Sequence, residues 1–179
     1  VIPISAALNE ITLDSTGDVK KPKQYTISGL QGGADPSLNL SSLNMGPADV
    51  SFLATLFTSF KDFSPAITEV NLSTNKCFGA NKYGRHEVDK DQTGWTTFCE
   101  ALPSTKIQKL VLSDIGMGPM GLTTLAKFTP DSPALNTITL DSTGDVKNQK
   151  SYTISGLQGG AEPFLDLSSL NFGPADVSF

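Results

Sequence analysis

The chain's single histidine, His86, stands beside its single arginine, Arg85, in a charged stretch from Phe78 to Gln92 that also holds Lys82, Tyr83, Glu87, Asp89, Lys90 and Asp91. An imidazole can act as a general base or as a metal ligand. Base catalysis needs a hydroxyl or thiol held within its reach, and no G-x-S-x-G, H-E-x-x-H or G-x-x-x-x-G-K pattern supplies one. Glu87, Asp89 and Asp91 alternate, but their spacing does not match the known calcium loop. The acid pair Asp14 and Asp18 returns as Asp141 and Asp145, which marks repetition rather than a unique active site. A non-catalytic chain with no metal or cofactor is therefore expected. Two cysteines, Cys77 and Cys99, are too few for a disulfide framework or a cysteine-based zinc site. Asn39-Leu40-Ser41 and Asn71-Leu72-Ser73 match the glycosylation sequon, a pattern short enough to be common by chance.

Charge narrows the partners. With 13 Lys plus Arg against 18 Asp plus Glu, the net of -5 provides no electrostatic footprint for nucleic-acid phosphates or an anionic membrane. The lysines are scattered along the chain, so no local basic patch is expected to reverse that exclusion. At 179 residues the chain fits one domain, given about 150 residues per domain. Hydrophobic residues are 38% of the total, and 16 Gly and 11 Pro follow no three-residue period, so collagen-like and disordered chains are excluded. No apolar run approaches the roughly 18 residues of a membrane span, and Val1-Ile2-Pro3 lacks a Met and a basic leader. A soluble piece of a longer array is expected, with nothing to fix its compartment.

The chain repeats itself. Residues 128–179 match residues 1–52 at an offset of 127, with 40 of 52 positions identical. The differences include Asp35 against Glu162 and Met45 against Phe172, exchanges that keep the local character of each position. Natural duplication under a packing constraint accounts for that pattern. A shorter spacing, L-x-x-L-x-L, recurs as Leu8, Ile11, Leu13; Ile67, Val70, Leu72; Ile107, Leu110, Leu112; and Leu135, Ile138, Leu140. L-x-L alone recurs at Leu38 and Leu40 and at Leu165 and Leu167. The first apolar residues of these L-x-L pairs, at 11, 38, 70, 110, 138 and 165, define about six units.

These residues resemble the leucine-rich repeat family, and the long units look most like its ribonuclease-inhibitor-like branch. The fullest match is Ile67-x-x-Val70-x-Leu72-x-x-Asn75-x-Cys77, which fits L-x-x-L-x-L-x-x-N/C-x-L at every position. The asparagine position is Thr16, Leu43, Ile115, Thr143 and Leu170 in the other units, so no regular asparagine ladder is expected. The resemblance spans essentially all of 1–179 and implies an α/β solenoid with short parallel strands on a concave face and helices on the convex one. The physical basis is independent of the family. In an extended segment, the two apolar residues of L-x-L enter one side, and a strand that short buries its apolar side only by stacking on neighbours.

Three return segments read as helices. Pro47 precedes Leu53, Leu56, Phe57 and Phe60, Pro119 precedes Leu122, Leu125 and Ala126, and Trp95, Phe98, Cys99 and Leu102 form a third inward stripe. The segments holding Tyr25-Thr26-Ile27 and Tyr152-Thr153-Ile154 alternate instead and lead to Gly-Leu-Gln-Gly-Gly, which predicts extended outer segments followed by turns. Cys77 and Cys99 fall on inward positions of one unit. A disulfide between them is geometrically conceivable, but two buried free thiols are expected.

Two surfaces are candidates for contact with a partner. The concave face should present Asp14 and Ser15, Ser41 and Ser42, Ser73 and Thr74, Ser113 and Asp114, and Asp141 and Ser142. It reads either as a hydrogen-bonding groove for a protein or glycan or as a solvated face of short polar side chains, and its lack of Trp, Tyr and Arg weighs toward the second. The other surface is the Phe78 to Gln92 insertion, with Arg85, His86 and Glu87 at its centre, because loops on rigid scaffolds often carry contacts. Together they predict a scaffold for protein recognition. The alternative is a structural repeat protein that associates with itself, through ends that carry no polar cap.

Overall fold

A computed structural model describes residues 10–15, 18–26, 36–59, 67–142 and 145–153. Their order is β1 (Glu10–Ser15), β2 (Asp18–Thr26), β3 (Ser37–Asn39), α1 (Pro47–Ser59), β4 (Glu69–Asn71), α2 (Thr93–Ala101), a 3-10 turn (Leu102–Ser104), β5 (Lys109–Val111), α3 (Pro119–Phe128), β6 (Thr137–Ser142) and β7 (Asp145–Thr153). The fold is mixed α/β. β3, β4, β5 and β6 pair side by side and parallel, with Leu38, Val70, Leu110 and Ile138 as successive register partners. These four are the residues that the L-x-L spacing marks in their units.

The strands are short, but the ladder continues past them. Leu40 N–H donates to Asn71 O at 2.9 Å, Ser42 N–H to Ser73 O at 3.0 Å, Leu72 N–H to Val111 O at 2.9 Å and Thr74 N–H to Ser113 O at 2.9 Å. Both apolar residues of the L-x-L pairs that begin at Leu38, Val70, Leu110 and Ile138 are buried, and they join the inward faces of the three helices in one core. Fully burying a side chain of this size contributes about 1.5–3 kcal/mol relative to leaving it exposed. The expected stripes hold through Leu53, Leu56 and Phe57 on α1, Trp95, Phe98 and Cys99 on α2, and Leu122 and Leu125 on α3. Ala126 is only half-buried, and Phe60 lies outside the described residues.

Asn75 bonds across units. Its side-chain oxygen accepts from Met45 N–H at 3.0 Å, and its amide donates to Leu40 O and Leu72 O, each at 2.8 Å. It is fully buried, so these bonds replace the water it would otherwise hold. Gly94 lets α2 approach the start of α1. A Cβ there would lie 1.9 Å from the carbonyl oxygen of Pro47, which no side chain tolerates.

Tyr25-Thr26 and Tyr152-Thr153 do end strands, β2 and β7, while Ile27, Ile154 and the expected Gly-Leu-Gln-Gly-Gly turns lie outside the described residues. β7 pairs antiparallel with β6, and β2 pairs antiparallel with β1, in the same register, both with an irregularity before the last pair. A connection of two residues returns the chain at once, and closing so short a loop costs less entropy than building a return segment. β7 therefore occupies the edge of β6 where a sixth parallel strand was expected, and Leu165 and Leu167 lie outside the described residues. β1 belongs to a separate two-stranded sheet rather than to the parallel one.

Candidate functional site

Outward residues of the parallel strands form two rows, Ser37, Glu69, Lys109 and Thr137, and Asn39, Asn71, Val111 and Thr139. The first row closes on itself through Glu69 Oε1 and Lys109 Nζ, 3.0 Å apart. Neither residue is among those expected on the face, although period two places the residue before each marker on that same face. In the second row the side-chain oxygen of Asn39 accepts from Ser41 N–H at 3.0 Å. That of Asn71 accepts from Ser73 N–H at 2.9 Å and from the Ser73 hydroxyl at 2.6 Å. Ser41 and Ser73 are thus half-buried members of local turns.

Ser42, Thr74 and Asp114 occupy one position in three successive units, and all three are left-handed, with φ of 59°, 57° and 56°. They turn the chain as it leaves the sheet. Ser113 corrects the expectation of an open face. It is 2% exposed, and its hydroxyl has no hydrogen-bond partner. The insertion reaches the turn that follows Ser113, where Asp89 N–H donates to Gly116 O at 3.1 Å. Asp14 and Ser15 lie on β1, in the separate two-stranded sheet, and Asp141 and Ser142 lie on β6 as register partners of Gln149 and Asp145 of β7.

The insertion is anchored at three places. Phe78 is fully buried, with its ring centroid 5.4 Å from that of Trp95, whose indole donates to Gly121 O at 2.9 Å. Asp89 closes the start of α3 from outside that helix. Its carboxylate accepts from Gly118 N–H at 2.9 Å, Met120 N–H at 2.8 Å and Gly121 N–H at 3.0 Å, and from the Gln92 amide at 3.1 Å. Three otherwise unbonded donors at the positive end of a helix are satisfied by one anion. His86 Nε2 lies 3.0 Å from Asp114 Oδ1 and makes the third anchor. It joins residues from the two surfaces that the sequence presents separately.

No family model and no curated protein matches this chain.

Chemically, the site offers recognition groups. His86 Nδ1 is buried without a hydrogen-bond partner beside Gly116, and no nucleophile is bonded to its ring. Among the described residues, no group of three His, Cys, Asp or Glu side chains is placed to hold a metal ion, and no helix is long and apolar enough to cross a membrane. A cleft of about 460 Å³ lies between the start of α1 and the insertion, lined by Pro47, Ala48, Gly79, Ala80, Lys90 and Asp91. Lys90 is paired there with Glu87, which accounts for one of the candidate carboxylates. Cys77 and Cys99 are buried and form no disulfide, and burial pushes the Cys99 thiol far above its usual range, with the neighbouring Glu100 charge adding to the shift.

The tip of the insertion is ordered by Asn81. Its side-chain oxygen accepts from Tyr83 N–H at 2.9 Å and Arg85 N–H at 3.1 Å, its own N–H donates to Arg85 O at 2.9 Å, and its carbonyl accepts from Gly84 N–H at 2.8 Å. Gly84 has φ of +73°, which a glycine adopts without strain. Tyr83 is left 74% exposed at the apex, with Arg85 exposed beside it.

Proposed function

We propose that the chain is a leucine-rich-repeat-like solenoid segment that recognises another protein and performs no chemistry of its own. Support comes from the four strands in register, from helices that share one core with them, and from Asn75, which bonds to a neighbouring unit at the motif's asparagine position. The contact surface is the insertion rather than the outer face of the sheet. The threefold anchoring by Phe78, Asp89 and His86 carries that choice, because a loop already held by its scaffold loses little freedom on binding. The outer face offers Val111, the mutually paired Glu69 and Lys109, and short polar groups of which Asn39 and Asn71 are bonded within their own turns, whereas binding hot spots favour Tyr, Trp and Arg.

The test places a photo-crosslinking residue at position 83 and, in a second variant, at position 39. Each is exposed to extract of the source organism, and adducts are identified by mass spectrometry. A recurrent protein adduct from position 83 alone is expected. Adducts from position 39 alone would move the contact to the sheet, and adducts only between copies of the chain would favour a self-associating structural protein.

A further inference from the structure

Three cations lie at or beside the tip of the insertion. Lys82 Nζ stands 5.0 Å from the centre of the Tyr83 ring, Arg85 follows two residues on, and Lys76 Nζ is 4.0 Å from where a side chain on Gly84 would begin. The ion pairs among the described residues join His86 to Asp114, Lys90 to Glu87 and Lys109 to Glu69, and none involves these three cations. In a chain of net charge -5 these cations share one segment with a tyrosine that is 74% exposed.

The geometry points to this tip as the docking surface for an acidic peptide segment of a partner protein. The inference rests on the recognition function proposed above and names its chemistry. Three unpaired cations favour carboxylates, and an exposed tyrosine supplies a flat apolar face for the peptide's stems and backbone. The Asn81 turn fixes Tyr83 and Arg85 in advance, so binding orders little. A nucleic acid fits less well, because its backbone is held by a long run of phosphate contacts and the rest of this acidic chain would repel it.

The experiment is fluorescence anisotropy of the full chain with a fluorescein-labelled peptide rich in Glu and Asp, with its Gln and Asn counterpart, and with a labelled single-stranded oligonucleotide. The acidic peptide should bind at least about tenfold more tightly than the amide peptide, and the difference should shrink as salt rises. Lys82→Gln with Arg85→Gln should remove about tenfold of that affinity, adding Lys76→Gln should remove more, and Tyr83→Ala should cost several-fold. Lys106→Gln, exposed and remote from the tip, should change nothing. All of these positions but Lys76 are exposed, so unchanged melting curves for the double and Tyr83 variants keep the comparison valid even if the Lys76 variant unfolds.

Equal binding of acidic and amide peptides, or full binding by the double variant, would overturn the inference. Tighter binding of the oligonucleotide, or displacement of the peptide by inorganic phosphate at low concentration, would also overturn it by making the site one for phosphate. If position 83 still crosslinks a protein while the acidic peptide fails to bind, the recognition function stands and only the partner chemistry is wrong. If position 83 captures nothing, the recognition function itself fails.

Discussion

His86 Nε2 and Asp114 Oδ1 lie 3.0 Å apart and tie the insertion to the turn after β5. Both side chains are 29% exposed, so solvent screens the pair and its coupling should be modest. A double-mutant cycle with His86→Gln and Asp114→Asn, read by urea unfolding, should give a coupling of about 0.5–1 kcal/mol. Asn is the replacement of choice because position 114 has φ of 56°, which Asn tolerates.

Asp89 is the stronger anchor, since three backbone donors of α3 depend on it. Asp89→Ala should lower stability by about 1–2 kcal/mol, in the range of a lost helix cap together with a lost charge at the helix start. Limited proteolysis should then cut within 79–88 faster than in the parent chain.

Asn75→Ala should be among the most damaging single changes. It leaves Met45 N–H without its side-chain acceptor and takes a donor from the carbonyls of Leu40 and Leu72, all in the interior. A loss of about 2–4 kcal/mol is expected from denaturant unfolding. Asn39→Ala, on an exposed side chain, should stay within about 0.5 kcal/mol of the parent.

Gly94→Ala tests the contact of α2 with the start of α1. The added carbon would collide with the Pro47 carbonyl, which is backbone and cannot rotate away. Overpacking of this kind costs about 1–3 kcal/mol, and the melting temperature should fall accordingly. Better intrinsic helix propensity, worth about 1 kcal/mol for alanine over glycine, should offset only part of the loss.

Both thiols should resist a maleimide in the folded chain and react in denaturant without any reductant. The raised pKa of Cys99 also carries a sign. The unfolded thiol ionises in its ordinary range while the buried one stays protonated, so the stability contribution is complete below that range and declines as pH rises above it. Unfolding free energies measured from pH 7 to pH 10 should fall at the alkaline end, and Cys99→Ser should flatten part of that fall.

What the sequence alone determined is the set of segments that bury a face. The L-x-L pairs at Leu38, Val70, Leu110 and Ile138, and the helical stripes of Leu53, Phe98 and Leu122, are local periodicities, and period reports directly on which side of a segment is apolar. Asn75 was visible for the same reason, as a polar residue fixed at one place in a repeating apolar pattern. Tertiary structure alone decided which polar groups meet across units. Asp89 finds Gly118, 29 residues away in the chain, His86 finds Asp114, and Lys76 comes to rest beside Gly84. None of these pairings has a period, because each depends on how two separately folded segments pack. The hairpin of β6 and β7 shows the same limit, since alternation identifies an extended segment but not the edge that it joins.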